Sequence, residues 1–182
     1  MNIFEILLVG VSLSCDAFAV AFSKGMSINN IKIKHSLIVG IYFGTFQGLM
    51  PFLGYLLSSS LSIYLVRFSH LIGFIILFLI GISMFKESIE KQNNLLNFKT
   101  MIPLSIGTSI DALAVGLTLP FMVSNVILPC FIIGITTFIL SSLGVIFANK
   151  IKDKINISPQ KVGGLILIFI SLKMLIEFLS LI

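Results

Sequence analysis

Ser14-Cys15-Asp16-Ala17-Phe18-Ala19-Val20 returns 95 positions later as Ser109-Ile110-Asp111-Ala112-Leu113-Ala114-Val115. Each copy sets one carboxylate inside a long apolar run. An ionised Asp at the centre of a bilayer costs about 2.5 to 3.5 kcal/mol on insertion scales, so an acid there marks a functional site by default. Two acids in matching contexts point to one shared role.

The flanking sequence is membrane in character. Of 182 residues, 57% are hydrophobic and 10% charged, with a mean hydropathy of +1.14; soluble domains carry roughly a quarter charged residues. Six apolar segments can be read, over 2–22, 36–57, 69–86, 101–122, 127–148 and 162–182. Each is near the ~20 residues that cross a ~30 Å hydrocarbon core. Water does not reach that core to satisfy backbone groups, so uninterrupted runs of this kind are predicted to be helices. The chain therefore reads as an all-α integral membrane protein, with residues 1–182 as a single membrane domain.

The first run lacks a basic leader and has a counterpart in the second half, so it is expected to be retained rather than cleaved as a signal peptide. Cys15 and Cys130 imply no disulfide framework. The pI near 9.4 comes from lysines lying between apolar runs. They form no basic face, which points to membrane lipid as a partner and away from nucleic acid.

Charge also sets the orientation. Lys24, Lys32 and Lys34 follow the first segment, Lys86, Lys91 and Lys99 the third, and Lys150, Lys152, Lys154 and Lys161 the fifth, while the opposite side has only Arg67. By the positive-inside rule the three basic loops are cytoplasmic and both termini lie outside.

The motif is part of a longer repeat. Gly40 and Gly134 are 94 apart, and Gly73, Met84 and Glu87 recur as Gly163, Met174 and Glu177 at a spacing of 90. Three helices per copy is an odd number, so the second copy enters the membrane in the opposite direction. This predicts six transmembrane helices as two inverted three-helix repeats, about 1–92 and 99–182, joined by a short cytoplasmic loop. Secondary transporters built this way hold their ion near the midplane, at the repeat interface.

At 3.6 residues per turn, Glu5, Ser12, Asp16, Ala19 and Ser23 fall along one side of helix 1, and Thr100, Gly107, Asp111, Ala114 and Thr118 are their counterparts. Antiparallel helices would bring Asp16 and Asp111 face to face. Two carboxylates with hydroxyls (Ser12, Ser14, Thr108, Ser109) and carbonyl oxygens, lacking a His pair or Cys cluster, make a hard-oxygen site. Such a site suits Mg, Ca or Mn rather than Zn or Cu. The plain structural alternative is a pair of buried hydrogen-bonding acids, or caps of a broken helix. It leaves two energetic costs without a purpose.

Three further positions attach to this site. Gln47 sits one turn before Pro51, where a kink is expected, and the repeat sets Ser141 opposite it; both either line the pathway or bond neighbouring helices. Lys173 is the one cation deep in an apolar segment. It either snorkels outward and pairs with Glu177, or it stands in for the ion when the acids are empty.

Asp16-Ala17-Phe18-Ala19-Val20 with Lys24-Gly25-Met26, Phe43-Gly44 through Pro51 and Gly54, and Thr108 to Gly116 resemble the MntP family of bacterial manganese efflux pumps, related to the LysE-type exporters. Ser141-Ser142-Leu143-Gly144 and Gly163-Gly164-Leu165 extend the likeness over nearly the whole chain. The resemblance implies a multi-pass transporter of the bacterial inner membrane that expels Mn(II), with Asp16 and Asp111 as its essential pair. It implies no cofactor, since manganese is cargo. Nor does the chain carry a P-loop to couple nucleotide hydrolysis, which leaves protons as the natural counter-ion.

Rival readings are weaker. An intramembrane aspartyl protease also pairs two helical acids, but typically in a Gly-x-Gly-Asp context, whereas Thr108-Ser109-Ile110 precedes Asp111. A non-transport membrane protein, such as a sporulation or assembly factor, has no reason to retain buried acids. Amino-acid export would set two carboxylates against a substrate carboxylate.

Overall fold

A computed structural model of the chain describes residues 2–28, 31–58, 71–82, 96–152 and 159–180. The expectations that rest on Arg67, Met84, Lys86, Glu87, Lys91, Lys154 and the side chain of Glu177 lie outside these residues. Among the described residues the chain is helical, and each of the six apolar segments contains helix. The order is α1 (Ile3–Ser27), α2 (Ile33–Leu57), α3 (Leu71–Ile82), α4 (Phe98–Thr108), α5 (Ile110–Thr118), a 3-10 turn (Leu119–Phe121), α6 (Ile127–Lys152) and α7 (Pro159–Ser180).

α1 starts at a capping box: Glu5 N–H donates to Asn2 Oδ1 at 2.8 Å, and Asn2 N–H to Glu5 Oε2 at 3.0 Å. Glu5 is thus engaged at the helix start. At the other end α1 runs past the predicted limit to Ser27, which puts Lys24 in its last turn, buried, rather than in the first loop. A cation there meets the negative end of the helix dipole.

The fourth apolar segment departs from expectation. It is not one uninterrupted helix: α4 ends at Thr108, Ser109 leaves helical geometry (φ −104°, ψ 7°), and α5 resumes with a bend of 42°. The local cause is visible in the hydroxyls. Thr108 Oγ1 donates to the carbonyls of Leu104 and Ser105, and Ser109 Oγ donates to Ser105 O at 2.8 Å. Back-bonding of this kind competes with the backbone ladder and bends helices. α1, α2 and α6 are each long and apolar enough to cross a membrane, and the α4–α5 pair, bent by 42°, passes the same test only if its two helices count together as one span.

α1 and α6 run parallel, with Gly10 against Thr136, Phe18 against Gly144 and Gly25 against Ala148. α2 and α6 run antiparallel: Gly40 lies on Phe138 and Ser142, Gly44 on Gly134 and Phe138, and Gly48 on Cys130 and Gly134. Only glycine fits at this crossing, because a Cβ at Gly44 would stand 2.8 Å from the Gly134 carbonyl oxygen. Small residues let helix backbones approach closely where lipid removes the hydrophobic drive to associate. α5 packs on α2 with Gly116 against Pro51, and α7 lies antiparallel to both α1 and α3. α2 continues as helix through Pro51.

Phe43, Val39, Ala17, Val20, Leu77, Met101 and Val145 form the largest buried cluster, while Phe4, Phe121, Phe131, Leu165 and Phe169 are exposed. Large aromatic and aliphatic side chains on the outside fit a surface that meets lipid rather than water.

Candidate ion-binding site

The two motif copies are held differently. Asp16 lies mid-way along unbroken α1, half-buried, and Lys173 of α7 meets it with both oxygens in reach: Nζ is 2.8 Å from Oδ2 and 3.1 Å from Oδ1. Of the two readings of Lys173, the structure supports contact with an acid of the motif. Asp111 instead sits in the first turn of α5, just past the break, where its Oδ1 accepts the Ala112 N–H at 2.8 Å. A carboxylate at a helix N-terminus is stabilised in its ionised form by the unsatisfied N–H groups and the dipole.

The copies converge through their neighbours. Leu13, one turn before Asp16, packs with Ala112 and Ile133 in one buried cluster. Ser14 Oγ is 2.7 Å from Thr137 Oγ1 of α6 and donates to Gly10 O at 2.5 Å. Gln47 is fully buried, and its Nε2 donates to Leu13 O at 3.3 Å. Stripes on α1, α2, α5 and α6 thus meet in a seam next to the acids.

Gln47 in this seam, and two serines on α4 and α6, carry oxygens with no partner. Gln47 Oε1, Ser105 Oγ and Ser141 Oγ are buried without a hydrogen bond among the described residues. Leaving a buried polar group unmade costs about 1 to 3 kcal/mol, so such groups ask for an explanation. Pro51 adds to the set: having no N–H, it cannot bond the Gln47 carbonyl one turn earlier. Gln47 therefore presents two under-used oxygens.

Other expected positions separate. Ser12 is exposed on the outer face of α1, away from the seam; the wheel that grouped it with Asp16 takes in the rim of that face. Thr108 and Ser109 are buried, and their hydroxyls shape the helix break. Thr137 and Ser105 were not singled out as site residues. The hydroxyl spacing Ser105–Thr108–Ser109, at three and four residues, was the available signal for Ser105 and for the bend. Among the described residues no group of three His, Cys, Asp or Glu side chains could hold a metal.

Comparison with known proteins shows the family. The family model described as "Putative manganese efflux pump" matches residues 30–175. A Desulfitobacterium hafniense protein named "Putative manganese efflux pump MntP" is 44% identical over 183 residues, covering 99% of this chain and 97% of its own. A protein of the same name from Campylobacter jejuni is 44% identical over 184 residues, with 98% of each chain covered. One from Acetivibrio thermocellus is 42% identical over 187 residues, covering 100% of this chain and 94% of its own. No solved structure matches the chain.

Proposed function

The chain belongs to the manganese efflux pump family, whose pattern spans residues 30–175, and from that membership we propose that it exports Mn(II) across the bacterial inner membrane by alternating access. The observation that carries the reading is the matched pair Asp16 and Asp111, whose motif stretches meet at Leu13, Ala112 and Ile133. Two carboxylates with amide, hydroxyl and carbonyl oxygens supply hard ligands of the kind Mn(II) takes. Gln47 Oε1 and Ser141 Oγ, buried and unpartnered, are available to an ion crossing the seam.

The six apolar segments form six spans in this reading, in two inverted repeats with both termini outside. The α2–α6 contacts support it. Adding 94 to an α2 position and subtracting it from an α6 position turns the Gly40–Phe138 contact into Gly134–Gly44, and Gly40–Ser142 into Gly134–Gly48. Gly44 and Phe138 are each other's mates, so a pseudo-two-fold axis runs beside them. The halves rock about this axis and open the acids to one side at a time.

Energetics favour coupling. Moving two charges outward against an inside-negative potential costs about 4.6 kcal/mol per 100 mV, from ~2.3 per charge. Two protons returning on the same acids make the exchange electroneutral.

The test is cellular manganese content and growth of a manganese-sensitive host expressing wild type, Asp16→Asn or Asp111→Asn. Both variants should express normally and fail to lower cellular Mn. If both still lower it, the shared-acid reading is wrong; if wild type alters only another metal, the ion assignment fails. Everted vesicles with a pH probe then test exchange, which is ruled out by Mn uptake without proton movement.

A further inference from the structure

We infer that Lys173 is a tethered competitor for the transported ion: its ammonium occupies Asp16 in the empty carrier, and a divalent cation must displace it to bind. The inference rests on the proposed role of Asp16 as an ion ligand.

Three observations carry it. Nζ lies 2.8 and 3.1 Å from the two Asp16 oxygens, so it covers both atoms a metal would use. The pairing joins residues 157 apart in sequence, from α1 of the first half to α7 of the second, so it spans the two bodies that would move against each other. The lysine is also particular to one half of the sequence: its repeat position, 90 residues earlier, is Ser83.

The chemistry follows from charge and reach. A lysine ammonium is a compact point charge on a flexible four-carbon stem. The Lys173 side chain is 49% exposed, so it has an open face into which it can withdraw while staying anchored to α7. With Lys173 on Asp16 the pair is neutral until a metal ion or a returning proton displaces the ammonium. A divalent ion attracts the carboxylate with twice the charge of the ammonium, whereas Na+ or K+ offers no such advantage. The tether therefore lowers affinity for every cation and keeps monovalent ions off Asp16.

The experiment is Mn2+ binding by isothermal titration to the full chain in lipid nanodiscs, with and without 150-fold excess K+ (roughly that order). If the uncovered acid is about 10% populated in wild type, Lys173→Met tightens Mn2+ binding about tenfold, because apparent affinity scales with the competent fraction. K+ should then compete measurably in Lys173→Met and in Lys173→Gln, but not in wild type or Lys173→Arg. Unchanged or weaker Mn2+ binding in folded Lys173→Met overturns the inference.

A second measurement needs no variant. Acylation of the Lys173 amine in wild type, read by peptide mass spectrometry, should rise as Mn2+ is titrated in. Labelling that Mn2+ leaves unchanged, at concentrations that saturate binding, also overturns it. Asp16→Asn separates the two levels. If it leaves Mn2+ binding at the wild-type value, the acid-pair reading itself is wrong; if it weakens binding while Lys173→Met does not strengthen it, only the tether fails.

Discussion

The same seven-residue pattern is built into two unlike supports. Around Asp16 the helix is continuous, and the counter-charge is a side chain on a different helix, 2.8 Å away. Around Asp111 the helix is broken, and the carboxylate is met by backbone: the Ala112 N–H at 2.8 Å and the start of α5. A side chain can leave, whereas a helix terminus cannot. On the tether proposed above the first half carries a switchable acid and the second one seated at a fixed helix start, an asymmetry that near-identical sequences do not announce.

The largest expected effect tests whether both supports serve one site. Asp111→Asn should abolish Mn export in everted vesicles as completely as Asp16→Asn. Asp111→Glu should keep only a small part, because the longer arm displaces the oxygens from the helix start, and misplacement of ~1 Å can cost about 100-fold where geometry is tight. Export that survives Asp111→Asn but not Asp16→Asn would make the switchable acid the whole site and the fixed one structural.

Next in size is a test of the shared axis. Gly40→Ala sets a Cβ 2.9 Å from the Phe138 carbonyl oxygen, and the same change at its repeat mate, Gly134→Ala, sets one 3.0 Å from the Gly44 carbonyl oxygen. Overpacking of this kind costs about 1 to 3 kcal/mol, so both variants should lower the melting temperature by similar amounts. Unequal losses in thermal unfolding would mean that the interface is not two-fold in energy, whatever its geometry.

A smaller effect should have opposite signs in stability and function. Ser141→Ala and Gln47→Met remove oxygens that have no partner. Deleting an unsatisfied group relieves desolvation, so the Ser141→Ala midpoint should hold or rise, by no more than about 1 to 3 kcal/mol, while Gln47→Met also gives up the 3.3 Å bond to Leu13 O and gains less. Export should fall severalfold. A loss of stability with full export would mark both residues as ordinary packing.

These tests also show what could be read in advance. The helical character of the apolar segments was legible because it is written in local composition, in apolar runs near membrane length. The break at Ser109 was not, since propensity treats 101–122 as one run, and the hydroxyls that bend it act on carbonyls a turn away. Lys173 shows the limit from the other side. The i,i+4 rule offers Glu177, whose side chain lies outside the described residues, whereas the Asp16 contact exists only once α1 and α7 pack antiparallel. Lys24 fails for a simpler reason: a lysine near an apolar run is scored as loop, although a helix C-terminus can hold it.

The smallest effect separates two serines on one helix. Ser12 and Ser14 are two positions apart, about 200° around α1, and both were candidates for the pathway. Ser12 is exposed at the rim, so Ser12→Ala should change stability by no more than ~0.5 kcal/mol and leave export at the wild-type rate. Ser14 is buried, with Thr137 Oγ1 2.7 Å away and Gly10 O 2.5 Å away. Ser14→Ala should cost about 1 kcal/mol of stability, because it strips a partner from a hydroxyl inside the seam. It should also reduce export modestly, since Leu13 and Ser14 together hold Gln47 and Thr137 in place. If Ser12→Ala impaired export as much as Ser14→Ala, the ion would be passing along the outer face of α1, and the seam would have to be given up as its route.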